Sequence, residues 1–355
     1  MSEQALQDQR WLDAAVRYAR PFQGTTADNP CAAALIVNPH DQTLVARGVT
    51  GRGGRPHPEA IAIERAGFNA AGATLYVTIE PCHHWDRTPP CVDAIVRSGI
   101  MRVVIGVPDP RMARAGAERL QSAGIEVVLA DHRLSAELHA GHLRHRTRAR
   151  PFVTAMLAVT PDDHVVHPAG GVTRDWLDMQ RSRVNAVLIG AATARRHNGQ
   201  LAIDLPGLAR RTPLRIVLAG ASGVDRSLQL VGGFSGHRTA VIAETEVPVD
   251  APVSVDVIRV KGVRGRPDLA AALGAIAGKG IQDLLVESGP RLTTALLLAG
   301  LVDRFGLITT SATAADGPPA SANGRMVDLL AAQGLVEEAR QDHGGDTLRF
   351  YGRPA

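Results

Sequence analysis

HPE at residues 57–59 and EPCHHWDRTPPC at residues 80–91 are the two segments that decide the fold and chemistry of this chain. One imidazole and two thiolates are the ligands of a catalytic zinc that keeps its fourth tetrahedral position for water. Zinc lowers the pKa of that water, and a carboxylate two residues after the histidine can carry the released proton. The segments therefore predict a Zn²⁺ site with three ligands and one catalytic carboxylate, namely His57, Cys82, Cys91 and Glu59.

Each of these residues has an ordinary structural interpretation when it is taken alone. A histidine beside a helix start is more often a cap or a surface group than a ligand, and a single cysteine is commonly a small buried residue. Together, each following a strand or opening a helix, the residues favour the metal site. The third cysteine, Cys31, lies beside the first apolar strand without another thiol near it in sequence, so we predict that it is simply buried.

Apolar runs alternate with helical patterns along the first 130 residues. Helical spacing begins at Trp11, and short apolar runs predict buried strands that are separated by helices. This alternation is typical of an α/β sandwich whose sheet is partly parallel. The predicted strands are 33–37, 43–46, 75–79, 103–107 and 127–129, and the later predicted helices are 59–66, 92–96 and 115–123.

The alternation restarts after residue 150 and predicts a second α/β domain. A length of 355 residues leaves room for two hydrophobic cores. We place the domains at residues 1–145 and 146–355, and interpret Gly141–Arg150 as a linker or a solvated helix end. The predicted strands are 152–159, 187–189, 214–218, 239–243, 253–260 and 284–286, and the predicted helices are 174–184, 268–277, 291–299 and 326–333.

The inter-cysteine spacing, the run Arg87–Cys91 and the later Asp109-Pro110 resemble the bifunctional deaminase/reductase family of riboflavin biosynthesis. In that family eight residues separate the two cysteines, as here, whereas cytidine and tRNA adenosine deaminases place only two there. The histidine, glutamate and proline-cysteine order is also the signature of zinc deaminases. The resemblance covers residues 8–145 and implies a cytidine-deaminase-like three-layer sandwich.

The resemblance also implies a small phosphorylated substrate, a phosphoribosylated diaminopyrimidinone that loses an exocyclic amine by hydrolysis. In the family, the loop between the cysteines helps to hold the ribosyl phosphate, which assigns phosphate or base contacts to His84, Arg87 and Thr88. Asn29 matches an asparagine that contacts the substrate. Arginine and hydroxyl groups suit this task because they donate strong hydrogen bonds to phosphate oxygens.

Four positions depart from the family pattern. Pro58 stands for alanine, His83 for serine, Asp86 for glycine, and Thr50 for a histidine that touches the substrate. None of them is a predicted zinc ligand, so the metal prediction is unaffected. The added carboxylate of Asp86 and the imidazole lost at Thr50 leave the identity of the substrate open. A deaminase of another small metabolite is the alternative.

Residues 150–351 resemble the reductase domain of the same family, which has a dihydrofolate-reductase-like α/β fold and uses NADPH. Residues 287–290 (ESGP) are similar to the family's Glu-Gly-Gly-Pro turn, where amides that open a helix receive a dinucleotide phosphate. The resemblance implies one substrate contact, at Asp162, and a set of cofactor contacts, at Gly190, Thr193, Glu287, Ser288 and Gly289. An ordinary strand-to-helix connection is the alternative interpretation of both turns.

The reductase segment also departs from its family. His197 and Asn198 stand where family members carry two aspartates, and Gly171-Val172 lacks the usual glutamate and serine. The sequence therefore leaves open whether this domain reduces the ribose, acts on another substrate or is structural.

Composition restricts the classes of partner. Aromatic residues are only 3% of the chain, which disfavours base stacking and hence a nucleic-acid deaminase or binding protein. A net charge of +4 demands no polyanionic partner. The beginning of the chain lacks a signal-like segment, and no run of about 18 apolar residues occurs. We expect a cytoplasmic homo-oligomer with no membrane partner.

Overall fold

The protein was analysed as a computed structural model, which describes residues 2–85, 88–166, 171–233, 236–310, 317–322 and 324–354. It divides into two compact units, residues 1–149 and 150–355. The division lies four residues after the predicted one, since 149 − 145 = 4, because the last helix of the first unit continues to Arg148 and ends at Ala149, whose backbone is left-handed.

The first unit is a five-stranded sheet in the order β2-β1-β3-β4-β5. The first strand pairs antiparallel with both neighbours, and β3, β4 and β5 are parallel. The strands are β1 (Ala33–Val37), β2 (Leu44–Val49), β3 (Thr74–Val77), β4 (Arg102–Ile105) and β5 (Glu126–Leu129). The helices are α1 (Glu3–Ala19), α2 (Pro58–Ala66), α3 (Cys91–Arg97), α4 (Ala115–Ser122), α5 (Arg133–Leu138) and α6 (Ala140–Arg148).

Helices cover both faces of this sheet. On one face α2, α3 and α4 bury small and branched residues such as Ala62, Ile95 and Leu120. On the other face α1 buries Leu12 and Val16 at helical spacing. The predicted three-layer α/β sandwich is confirmed, and Cys31 is buried as predicted.

The basic segment after residue 140 is a helix that is only partly solvated. Gly141 and His142 at the start of α6 are buried, and residues 146–149 are exposed. His142 donates from Nε2 to the Asp109 carboxylate over 3.1 Å. The linker interpretation is therefore wrong, because these residues form a helix. The interpretation as a solvated helix end is correct only for the last turn, since the polar side chain of His142 is buried and hydrogen-bonded.

The second unit is a nine-stranded sheet in the order β10-β9-β8-β7-β13-β6-β14-β16-β15, with a small separate hairpin, β11-β12. Its strands are β6 (Phe152–Val159), β7 (Ala186–Gly190), β8 (Leu214–Leu218), β9 (Thr239–Glu244), β10 (Asp256–Val260), β11 (Gly262–Val263), β12 (Arg266–Pro267), β13 (Asp283–Glu287), β14 (Arg304–Thr309), β15 (Val336–His343) and β16 (Asp346–Gly352). Its helices are α7 (Gly171–Arg181), α8 (Ala191–His197), α9 (Gln229–Gly232), α10 (Leu269–Gly278), α11 (Pro290–Leu298) and α12 (Met326–Ala332).

The predicted strands do not include β14, β15 or β16, which form the antiparallel edge of this sheet. β15 is exposed over nearly its whole length, so its sequence carries no buried alternation to detect. β10 begins at Asp256 instead of residue 253, because Val253 follows Pro252 and is fully exposed. No helix in the described ranges combines the length and the apolar character needed to cross a bilayer.

Chain order creates a switch point in the sheet of the second unit. β13 lies between β7 and β6 and is parallel to both, although it comes much later in sequence. Ligands of open α/β sheets bind outside the carboxyl ends of strands where the strand order reverses. The carboxyl ends of β6, β7 and β13 are therefore the place in this unit where a ligand is expected.

A buried histidine gives the first unit a specific acid sensitivity. Burial lowers the pKa of His139 to about 3, the charge of His142 adds to this lowering, and Asp109 opposes it. Its Nε2 lies 2.9 Å from the Thr78 hydroxyl, which can donate to it. The unfolded chain binds a proton here below about pH 6.5 and the folded chain does not, so stability falls as the pH drops from 6.5 towards 3.

We predict that His139→Gln weakens this dependence by at most about 1.4 kcal/mol per pH unit. Urea unfolding between pH 7 and 4 measures it. His40→Gln, at an exposed histidine, is the control and should keep the wild-type slope. An unchanged slope in His139→Gln would contradict the assignment.

Candidate metal centre and dinucleotide crevice

Prolines set the backbone that carries the predicted metal ligands. Pro58 occupies the first turn of α2, where a missing N–H is harmless, and the extended His57 precedes it as the capping residue. Pro90 caps α3, so Cys91 is the first residue of that helix. Cys82 lies in the loop that follows β3. Two helix starts and one loop thus provide the three side chains.

The three predicted ligands converge. Their ligand atoms all lie within 4.8 Å of one another. His57 Nδ1 is 3.2 Å from Cys91 Sγ and 3.5 Å from Cys82 Sγ. One nitrogen and two sulfurs at these separations fit a tetrahedral Zn²⁺ that keeps one position open.

Electrostatics favours a first thiolate at this centre. Hydrogen bonds from Cys91 and His57 lower the pKa of Cys82 to about 4, although burial opposes them. The backbone N–H of Cys91 also donates to Cys82 Sγ over 3.3 Å. The hydrogen bond with Cys82 raises the pKa of Cys91, because the second proton of a coupled pair is harder to remove. A divalent cation favours both thiolates by its charge.

Glu59 lies in the first turn of α2 and is almost fully buried. Its Oε2 is a buried oxygen without a hydrogen-bond partner among the described residues. Burial raises the pKa of its carboxyl group, and the charge of His57 lowers it. A buried carboxylate with an unused oxygen beside the ligands fits a group that exchanges protons with a bound water.

A second buried carboxylate anchors the segment that carries Cys82. Glu80 accepts the backbone N–H of Asp109 over 3.2 Å and that of Ala117 over 3.1 Å, one on each oxygen. Gly116 allows α4 to approach, because a Cβ on this residue would lie 2.4 Å from the Pro81 oxygen. The loop before Cys82 is therefore held from two sides.

The predicted substrate contacts lie around the same loops. Asn29 packs against Gly54, because a Cβ on Gly54 would lie 2.1 Å from the side-chain amide nitrogen of Asn29. Thr88 accepts a hydrogen bond from Arg55 over 2.6 Å. His84 is exposed. Arg87 lies outside the described residues, as does Asp86.

Thr50 does not occupy the position of a substrate contact. It is buried, and its hydroxyl accepts the N–H of Ala32 over 2.9 Å and lies 3.0 Å from the Pro30 oxygen, to which it can donate. The hydroxyl therefore stabilises the entry to β1.

In the second unit the predicted cofactor residues meet at the carboxyl ends of β7 and β13. Ser288 Oγ accepts the N–H of Gly190 over 3.1 Å and lies 3.5 Å from Thr193 Oγ1. Thr193 Oγ1 accepts the N–H of Gly289 over 2.9 Å. The two strand-to-helix turns are thereby joined through two hydroxyl groups.

The carboxylate of Glu287 has a protein partner. Arg181 donates to it from Nε and Nη2 over 2.7 and 2.6 Å, and from Nη1 to Asp178 over 2.8 Å. Asp162 is exposed in the turn after β6. Since β6 and β13 are parallel neighbours, this turn lies at the same sheet edge.

Comparison with known proteins matches each unit to a known domain. The cytidine and deoxycytidylate deaminase zinc-binding region matches residues 5–107, and the RibD C-terminal domain matches residues 155–319. Riboflavin biosynthesis protein RibD of Aquifex aeolicus is 33% identical over 84% of this chain and 85% of its own. The chain belongs to the RibD family. RibD of Escherichia coli is 32% identical over 84% of this chain and 86% of its own.

Solved RibD structures share the whole architecture. The deaminase/reductase of Thermotoga maritima aligns with a TM-score of 0.85 at 26% identity, covering 99% of this chain and all of that one. RibD of Acinetobacter baumannii aligns with a TM-score of 0.82 at 25% identity over the same shares. The predicted family is confirmed: this is a riboflavin biosynthesis enzyme with a zinc-binding deaminase domain and a reductase domain.

The RibD reductase domain uses NADPH, and the crevice fits this cofactor in part. Gly190 and Gly289 let the facing hydroxyls of Ser288 and Thr193 approach the turns, because a Cβ on either glycine would lie 3.0 Å from the hydroxyl oxygen opposite it. The hydroxyls of Ser288 and Thr193 can donate to phosphate oxygens. The carboxylate of Glu287, in contrast, is engaged by Arg181.

Sequence reasoning missed three residues that support these sites. Glu80 is the first residue of the quoted segment 80–91, but nothing in sequence indicates which amides it binds. Arg55 and Arg181 reach partners far away in sequence, Thr88 and Glu287. Only their charge near a predicted site could have indicated them.

We predict that Gly116→Ala impairs the metal centre of this RibD protein. The added Cβ would meet the Pro81 oxygen and displace the loop before Cys82, at a cost of about 1 to 3 kcal/mol in folding free energy. Chelator competition should release zinc faster than from wild type.

Gly274→Ala is the control, because a Cβ there meets nothing within 4 Å. Equal zinc release from Gly116→Ala and the control would contradict the anchoring role.

Proposed function

We propose that this enzyme removes the exocyclic amine of a phosphoribosylated diaminopyrimidinone by hydrolysis and that its second domain reduces the ribosyl group with NADPH. The observation that carries the proposal is the convergence of His57, Cys82 and Cys91 beside Glu59, whose Oε2 has no hydrogen-bond partner among the residues that the structure describes. The Thermotoga maritima relative supports the substrate class, since it is described as a diaminohydroxyphosphoribosylaminopyrimidine deaminase and 5-amino-6-(5-phosphoribosylamino)uracil reductase.

His57, Cys82 and Cys91 hold the metal ion in this proposal. Zinc, when bound, lowers the pKa of a coordinated water towards neutrality and acts as a Lewis acid. Glu59 takes the proton of the attacking water on Oε2 and delivers it to the departing amine. Burial raises the pKa of the Glu59 carboxyl group. The group therefore holds its proton more readily until it transfers that proton to the departing amine.

Four residues bind the substrate in this proposal: Asn29, His84, Arg87 and Thr88. The Asn29 amide can hydrogen-bond the pyrimidinone, since Gly54 fixes its position. The hydroxyl of Thr88 and the charge of Arg87 suit the phosphate.

In the reductase domain, Asp162 contacts the substrate and the joined turns hold the dinucleotide. Gly190 and Gly289 allow its phosphates to approach, and Thr193 and Ser288 donate hydroxyl hydrogen bonds. Glu287 acts through Arg181 rather than by touching the cofactor, which follows from their two hydrogen bonds.

A second candidate is deamination of another small metabolite, with the reductase domain inactive or repurposed. It is favoured by the inward hydroxyl of Thr50 and by the Ser288 side chain, which binds the Gly190 N–H. An assay of ammonia release with the riboflavin intermediate separates the two candidates. Release without NADPH oxidation would support the second domain being inactive, and no release would contradict the first candidate.

We predict that Glu59→Gln keeps zinc and lowers the rate of ammonia release by at least about 100-fold, because an amide cannot shuttle the proton. Glu64→Gln, at an exposed position of the same helix, is the control and should be as active as wild type. Cys82→Ala should instead lose the metal itself. An unaltered rate in Glu59→Gln would assign the proton transfer to another group.

We predict that Thr193→Val weakens NADPH binding by about 10-fold or more, because a hydrogen bond to a charged phosphate is lost. Fluorescence titration of the full-length chain measures this without turnover. Thr147→Val, where an exposed hydroxyl bonds only a carbonyl of its own helix, is the control. Equal dissociation constants for all three proteins would exclude Thr193 from the cofactor site.

Three expectations stay predictions. Sedimentation velocity tests the homo-oligomer, fractionation tests the cytoplasmic location, and a nucleic-acid binding assay tests the expected absence of that partner.

A further inference from the structure

We propose that Arg55 is a specificity-determining residue of the deaminase site, where its guanidinium group binds the phosphate of the substrate. The inference rests on the proposed function and deepens it, because it assigns phosphate recognition to a residue outside the inter-cysteine loop. Arg55 lies two residues before His57, in the loop between β2 and α2.

The side chain of Arg55 crosses from its own loop to the other one. Its Nη1 donates to Thr88 Oγ1 over 2.6 Å, although 33 residues separate the two positions. The residue is half-buried, so part of it remains accessible to a ligand. Thr88 lies three residues before Cys91, the first residue of α3, so each of the two bonded residues is close in sequence to a predicted metal ligand. The guanidinium group therefore lies near the metal centre.

The backbone holds this loop in place. Gly51 donates its N–H to the Pro56 oxygen over 2.9 Å, and Gly53 donates to the Thr25 oxygen over 2.9 Å. Gly54, with φ +93°, packs directly on Asn29. Arg55 and the predicted substrate contact Asn29 are consequently positioned by one continuous set of contacts.

The chemistry of the pair suits a phosphate group. A guanidinium group has five N–H donors in a planar fork, so a bond to Thr88 is compatible with a bidentate contact to phosphate oxygens. Because Thr88 accepts from Arg55, its own hydroxyl proton is directed elsewhere and can join the same anion. The hydroxyl of Thr50 faces the Pro30 oxygen, so the phosphate contact that we propose is made by other residues of the loop.

The test compares substrates with and without the phosphate. Ammonia release is measured with the phosphoribosylated diaminopyrimidinone and with its dephosphorylated counterpart, for zinc-loaded full-length wild type, Arg55→Gln, Arg55→Lys and Arg52→Gln. Arg52 lies in the same loop, carries the same charge and is exposed, so it is the matched control. Zinc content is measured for each variant.

Arg55→Gln should raise KM for the phosphorylated substrate by about 10- to 100-fold, the loss expected for a charged hydrogen bond. The KM for the dephosphorylated compound and kcat should be unchanged. Arg55→Lys keeps the charge but lacks the planar guanidinium group, so its KM for the phosphorylated substrate should lie between those of wild type and Arg55→Gln. An unchanged ratio of the two KM values in Arg55→Gln overturns the proposal, as does an equal loss in Arg52→Gln.

Failure of the proposed function has a different result. If the wild type releases no ammonia from either compound, that function is wrong, and calorimetric titration with ribose 5-phosphate then tests Arg55 alone. Weaker binding by Arg55→Gln than by wild type and Arg52→Gln supports the anion site. Equal binding by all three, or binding by none, overturns it.

Discussion

The buried carboxylate of Glu80 is the interaction on which the metal centre depends. It accepts one backbone N–H from the loop after β4 and one from α4, and so fixes the chain two residues before Cys82. Charged acceptors form strong hydrogen bonds to amides, and a buried carboxylate is stable only with such partners. The position of Cys82 then determines whether His57 and Cys91 can share an ion with it.

Proline and glycine provide the remaining precision of this site. Prolines set the starts of α2 and α3, and Gly116 lets α4 come close enough to hold the loop. Zinc binding and folding of this unit are therefore expected to be coupled, because the ligands lie on segments that only the fold brings together.

The proposed cofactor site of the second unit also lies where loops lead into helices. Here two strand-to-helix turns are joined through side chains. Ser288 and Thr193 bind the amides of Gly190 and Gly289. In the proposed cofactor site, the protons of these hydroxyls would be directed to the dinucleotide phosphate. This arrangement, together with the Arg181–Glu287 pair, distinguishes the reductase site of this chain from a turn made of glycine alone.

The sequence by itself determined the two-domain α/β organisation, the zinc motif and the family, because periodicity and ligand spacing are local properties. It missed β14 and the hairpin β15-β16, of which β15 is exposed and carries no apolar alternation. It also misread the start of α6, where His142 is buried and bonded to Asp109. Only the tertiary structure decided which distant groups meet, such as Glu80 with the amide of Ala117 and Arg55 with Thr88. Hydrogen bonds between segments far apart in sequence depend on the packing of the whole unit, and no local pattern encodes them.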